Sequence, residues 1–213
     1  KLVEIIPGLD TAQETVDDVV AFTESLRKLP VVVQECPGFL VNRLLMPYLN
    51  EAVLALQEGE GSANEIDQKM QAWGMPMGPF ILMDMLGLDV CADVGQYLES
   101  EYGERMRGAD LFPMLVKANR LGEKSGAGFY GYGAETDEPV KKMIGELQAS
   151  GKTNKAANGF DPDRLIMPLI NQASLGIEEH IAPITDLDMP MVAGTGMTYG
   201  GERIGPLAVA DII

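Results

Sequence analysis

The segment RLLMPYLNEA at 43–52 returns as RLIMPLINQA at 164–173. Arg43, Pro47 and Asn50 recur as Arg164, Pro168 and Asn171, each 121 residues further on, and Asp67 recurs as Asp188. Further along, GPFILMD at 78–84 returns as GPLAVAD at 205–211, now offset by 127, and the six extra residues fall in the turn-rich stretch AGTGMTYGGERI. Matching motifs in one order, with the insertion placed in a loop, read as a tandem duplication of one helical unit. Immediately before the matched block, Asn42 is answered by Asp163. The first unit runs to about residue 133 and the second stops at Ile213, so the expectation is a piece truncated at both ends.

Before the first copy the texture differs. KLVEII at 1–6 reads as a strand with the turn PGLD after it. Thr11, with Glu14 three residues on, predicts a capping box opening a helix through QETVDDVVAFTESLRKL, and PVVVQE at 30–35 reads as a second strand. A strand–helix–strand unit buries too little alone, so residues 1–36 are expected to be the end of an α/β domain. From Pro37 the apolar positions Leu44, Leu45, Tyr48, Leu49, Ala52 and Leu56 keep helical spacing, and Gly59 and Gly61 stop the run. Pro47 removes the hydrogen bond to the Arg43 carbonyl and predicts a kink there, repeated at Pro168. Ser62 and Glu65 predict a second capping box, and FILMDMLGLDVCADVGQYLESEYG reads as one or two helices. Residues 134–160 are polar and read as a linker with one short helix at PVKKMIGELQAS.

Composition narrows the function. Forty-six per cent hydrophobic residues support a packed core, and a formal charge of −16 repels phosphate backbones and anionic membrane surfaces. Cys36, Cys91 and the single His180 offer no metal-ligand spacing, and two distant cysteines read as thiols in a reducing compartment. No apolar run reaches membrane-spanning length.

GAGFYG at 126–131 satisfies G-x-G-x-x-G but lacks the strand before and helix after that a dinucleotide cradle needs. GTGMTYG and GELQASGKT fail phosphate-loop spacing. His180, beside two glutamates, reads as a solvated residue. Glu4, set among apolar strand residues, either faces solvent or serves a partner such as an imidazole. Asn42 is either a helix cap or a donor to a substrate oxygen.

KLVEIIPG, CPGFLVNRLLMPYLNEA, EID, GMPMGPFILMDMLGLD and GEKSGAGFYGYG, in that order, resemble the 3-hydroxyacyl-CoA dehydrogenase family across residues 1–133. With its tandem copy the chain is similar to the dehydrogenase half of the multifunctional fatty-acid oxidation α-subunit, where an enoyl-CoA hydratase domain, a lyase, precedes it. The resemblance implies a mainly α fold: a tandem repeat of the helical C-terminal domain (6-phosphogluconate dehydrogenase C-terminal-like), preceded by a short strand–helix–strand remnant of a Rossmann domain. The domains implied are 1–36, end of the NAD-binding domain; 37–133, first helical domain; 134–160, linker; and 161–213, a truncated second copy.

It also implies NAD-dependent oxidation of an L-3-hydroxyacyl-CoA in β-oxidation. In the family a His takes the hydroxyl proton, and its motif lies just upstream of KLVE. The Glu paired with that His falls on Glu4, the Asn contacting the substrate oxygen on Asn42, and the cofactor-contacting Lys on Lys124. No metal is implied. With the glycine-rich phosphate loop and catalytic His outside these residues, the piece alone is expected to be inactive. Single-copy members dimerise through the helical domain, so the copies are expected to form an intrachain pseudo-dimer. A thiolase partner and a bacterial cytoplasmic or organellar matrix location follow as further expectations. Two alternatives stand beside this reading: a non-catalytic helical interaction module, and the helical domain of another hydroxy-acid dehydrogenase.

Overall fold

A computed structural model describes residues 1–153, 155–156, 158–183 and 186–212. Residues 154 and 157 of the expected linker, and 184, 185 and 213 of the expected second copy, lie outside the described residues. Helix dominates, with a single two-stranded parallel sheet among the described residues. The chain divides into two compact units. One comprises 1–45, 74–76 and 169–213; the other comprises 46–73 and 77–168.

The first unit opens with β1 (Leu2–Ile5), α1 (Gln13–Ser25) and β2 (Leu29–Val32). Parallel strands need a crossover, and α1 supplies it; Leu2 pairs with Leu29 and Ile5 with Val32. The strand–helix–strand expectation holds, but the capping box at Thr11 does not. Ala12 occupies the cap position without a side-chain bond, and the Thr11 hydroxyl instead accepts the Gly8 N–H at 3.0 Å. The hydroxyl closes the PGLD turn, and a group so used has no reach to the helix.

Helix α2 (Val41–Glu58) follows, and the unit boundary falls inside it. Its C-terminus is a Schellman turn. Gly59 sits at φ 84°, and the Glu60 N–H donates to the Ala55 carbonyl at 3.0 Å. In the second unit come α3 (Ala63–Trp73), α4 (Pro79–Leu86), α5 (Leu88–Tyr102), α6 (Leu111–Lys117) and α7 (Glu138–Ala149). The expected box at α3 is present: the Ser62 N–H donates to Glu65 at 2.8 Å and the Glu65 N–H to the Ser62 hydroxyl at 3.3 Å. The long run from Phe80 makes two helices because Gly87, at φ 101°, breaks it. Phe129 packs edge-on against Phe80 and Phe112, with centroids 4.7 and 6.3 Å away, in a core shared with Met70, Met83 and Leu115.

α8 (Asp163–Glu178) holds the second boundary, and α9 (Asp188–Thr195) and α10 (Pro206–Ala210) complete the first unit. α8 contains Pro168 as α2 contains Pro47. Its C-terminus repeats the Schellman turn at the same 121-residue offset: His180 takes the left-handed conformation at φ 55°, and the Ile181 N–H donates to the Gly176 carbonyl at 3.0 Å. His180 is exposed, as expected. No helix among the described residues is long and apolar enough to cross a membrane.

Candidate functional site

In the first unit, PGF at 37–39 makes a tight turn into α2. Gly38 and Phe39 both have positive φ, 80° and 49°. For phenylalanine that conformation is strained, and such strain concentrates where a site needs a fixed backbone. The turn aims the amides of Leu40 and Val41 at β1. Glu4 Oε1 accepts both, at 2.7 and 3.3 Å. A carboxylate on free amides at a helix N-terminus is favoured by the hydrogen bonds and by the helix dipole. Both amides share Oε1, so Oε2 stands outside these two bonds. Glu4 therefore caps α2 from the strand, and the alternative of a freely solvated carboxylate is set aside. A cleft of about 340 Å³ opens beside it, lined by Ile6, Thr15 and Val19 among others.

Asn42 is the second residue of α2 and is exposed. The cap reading of Asn42 does not hold, since Glu4 does the capping and Asn42 lies within the helix. Arg43, next in sequence, is only 1 % exposed and its guanidinium lies 2.8 Å from the Glu179 carboxylate. The first unit thus brings Glu4 and Asn42 to one helix end.

In the second unit Lys124 lies on a short 3-10 turn, Glu123–Ser125, with its ammonium 2.5 Å from Asp89. That pairing holds the Asp89 carboxyl below its usual range. Lys124 is about half exposed. The glycine-rich loop behind it is committed to the protein. The Phe129 and Tyr130 amides donate to Asp84 at 2.9 and 3.0 Å, and the Tyr132 hydroxyl to the same carboxylate at 3.0 Å. A Cβ on Gly128 would fall inside the Asp84 carboxylate. Buried Arg120 closes the loop by donating to the carbonyls of Gly128, Tyr130 and Thr136.

Asp67 does a related task. It accepts the Phe80 and Ile81 amides at the start of α4, at 2.9 and 3.2 Å, and the Tyr130 hydroxyl at 2.7 Å. Burial pushes the Asp67 and Asp84 carboxyls up, against the pull of these donors, and pushes both tyrosine hydroxyls up as well. At the matching offsets in the first unit, Asp188 accepts the Leu207 and Ala208 amides at 2.7 and 3.0 Å.

NAD fits these residues only at one point. The loop amides that a pyrophosphate would need already serve Asp84, whereas Lys124 presents a half-exposed ammonium that shares its charge with Asp89. No group of three or more candidate metal ligands is found among the described residues. Sequence reading missed the Asp84–Arg120 clamp and the Arg43–Glu179 pair. The repeat did flag Asp67, and Asp84 as the last residue of GPFILMD, without giving either a role.

Residues 38–132 match the family described as 3-hydroxyacyl-CoA dehydrogenase, C-terminal domain, and residues 1–36 match 3-hydroxyacyl-CoA dehydrogenase, NAD binding domain. Among curated relatives, a fatty acid oxidation complex subunit alpha of Vibrio cholerae is 37% identical over 196 residues, covering 92% of this chain. A Shewanella baltica protein of the same name is 37% identical over the whole chain. The chain spans 28% and 31% of these two relatives. Among solved structures, 3-hydroxybutyryl-CoA dehydrogenase from Escherichia coli matches all of the chain and 60% of its own at TM-score 0.82 and 26% identity. The (S)-3-hydroxybutyryl-CoA dehydrogenase of Ralstonia eutropha matches 62% of the chain and 47% of its own at TM-score 0.60 and 42% identity.

Proposed function

Because the chain belongs to the 3-hydroxyacyl-CoA dehydrogenase family, we propose that it forms the substrate-side part of an NAD-dependent L-3-hydroxyacyl-CoA dehydrogenase of fatty-acid oxidation. The observation that carries this is the helix end at α2. A strained turn and a strand carboxylate fix one exposed amide side chain, Asn42, at a helix N-terminus. Bound NAD⁺ would supply the hydride acceptor for C3 of the substrate. Charge grows on the C3 oxygen as its proton leaves, and the Asn42 NH₂ is the donor proposed for it. A preorganised donor of this type is worth roughly 3 kcal/mol of transition-state stabilisation. Glu4 keeps Oε2 for the imidazole of the general base and favours its protonated form. Lys124 gives one cation to the cofactor.

The domain reading is proposed with it: 1–36, end of the NAD-binding domain; 37–133, first helical domain; 134–160, linker; and 161–213, part of a second copy. Equivalent positions support the duplication. Pro47 and Pro168 lie inside helices, left-handed Gly59 and His180 end them, and Asp67 and Asp188 cap the helix that follows. The ion pairs are reciprocal. Arg43 pairs with Glu179, and its equivalent Arg164 pairs with Glu58, the equivalent of Glu179, at 2.7 Å. Exchange of equivalent partners is the mark of a twofold relation, and it supports an intrachain pseudo-dimer of the two copies. A thiolase subunit as partner, a preceding hydratase and a cytoplasmic setting are proposed from the family resemblance; the relatives' names speak only of a fatty acid oxidation complex.

The test joins these residues to a complete NAD-binding domain and follows NAD⁺ reduction with 3-hydroxybutyryl-CoA. Turnover is expected from the joined chain and none from the 213 residues alone. Turnover by the 213 residues at a comparable rate, or none by the joined and folded chain, contradicts the reading.

A further inference from the structure

The end of α8 contributes a charge beneath the α2 helix start. Glu179 sits in the Schellman turn after α8, held by the left-handed His180 and by the Ile181 N–H bond to Gly176. The same turn is tied to the strand exit of β2, where the Gln34 N–H donates to the Ile181 carbonyl at 2.8 Å. The Glu179 carboxylate is therefore delivered from a backbone fixed at two points. It meets Arg43, which is 1 % exposed, at 2.8 Å.

Neighbouring residues on a helix point about 100° apart. Arg43 points inward and Asn42 outward, so whatever fixes the arginine fixes the direction of the amide. Glu4 sets the position of α2 along its axis by holding the amides of Leu40 and Val41. It does not set the rotation about that axis. The buried side chains of Leu44, Tyr48 and Leu49 set it for the helix as a whole, and the Arg43–Glu179 pair ties the first turn, where a buried guanidinium turned away from its carboxylate gives up that ion pair.

We propose that Glu179, acting through Arg43, is a positioning residue for the Asn42 amide, so that the chain following α8 controls the geometry of the site at the start of α2. The proposal rests on the reading that Asn42 contacts the substrate oxygen, and its test separates the two. Steady-state oxidation of 3-hydroxybutyryl-CoA is measured in a chain carrying a complete NAD-binding domain, for Asn42→Ala, Glu179→Ala, the milder Glu179→Gln, and the double variant Asn42→Ala/Glu179→Ala. Folding of each is checked by thermal unfolding and NADH affinity.

Misplacement of a donor by about 1 Å costs on the order of 10²-fold. Glu179→Ala is expected to lower kcat about 10- to 100-fold with KM nearly unchanged, and Glu179→Gln less. If Glu179 acts only through Asn42, the double variant is no slower than Asn42→Ala, a non-additivity that a general loss of structure does not produce. Additive losses, or an unchanged kcat in folded Glu179→Ala, overturn the positioning role while leaving Asn42 in place. An unchanged kcat in Asn42→Ala overturns both. Glu58→Gln, which touches the equivalent pair at Arg164, is the structural control and is expected to keep kcat.

Discussion

Two arginines at equivalent positions, Arg43 and Arg164, begin equivalent helices and are treated differently. Arg43 is buried with its ion-pair carboxylate, Glu179, beneath an exposed Asn42. Arg164 is 22 % exposed and lies within 2.7–3.1 Å of three carboxylates, Glu51, Glu58 and Glu60. The residue before it is Asp163, which lacks the side-chain amide N–H of Asn42. The same packing element serves a demanding position at the start of α2 and a tolerant one at the start of α8. A buried pair fails when one partner is removed; a partly exposed cluster with several carboxylates loses less.

That contrast orders the expectations. Glu179→Ala takes a carboxylate away from a buried guanidinium and is expected to cost about 3 kcal/mol in urea unfolding. Glu58→Ala leaves Arg164 two carboxylates and partial solvation and is expected to cost under about 1 kcal/mol. Equal costs would break the comparison.

The helix-capping aspartates sharpen it. Asp67→Ala releases two amides and the Tyr130 hydroxyl, and about 2–3 kcal/mol is expected. Asp188→Ala releases two amides only and is expected to cost less. The reverse order would show that the Tyr130 bond contributes nothing.

pH gives a further handle. Burial raises the Asp84 carboxyl above its usual value, so between the unfolded and folded values the folded state binds more protons. Stability from this group is fully present below the unfolded value, near 3.8, and declines as pH rises through the folded one. The stability gap between the parent and Asp84→Asn is therefore expected to narrow between pH 4 and neutrality. A gap that widens over that range contradicts the burial account.

The smallest effect concerns the thiols. Cys91 is buried and pushed up to about 11, while Cys36 is half-buried. At pH 8 iodoacetamide is expected to label Cys36 first and Cys91 only on unfolding.

What could be read from sequence was mostly local. The Ser62–Glu65 box, the strand–helix–strand opening and the stop at Gly59 depend on residues within a few positions of one another. Thr11 failed at equally short range because its hydroxyl had a second local partner in the Gly8 amide, and spacing does not rank the two. Glu4 and Asn42 were visible as candidates, but the bond from the Leu40 amide to Glu4 spans 36 residues and had no pattern to announce it. The Asp84 clamp on Phe129 and the Arg43–Glu179 pair depend on tertiary approach. The repeat pointed to Arg43 and Arg164 as equivalent, yet burial, which distinguishes them, is not written in either motif.

The most direct test exchanges the residues that differ at the two helix starts, Asn42 and Asp163. In a chain with a complete NAD-binding domain, Asn42→Asp and Asp163→Asn are made separately and kcat for 3-hydroxybutyryl-CoA oxidation is measured. Loss of the donor at Asn42 is expected to lower kcat on the order of 10²–10³-fold, and Asp163→Asn to leave it unchanged. Equal effects at the two positions, or none at Asn42, would contradict the assignment of the site to the start of α2.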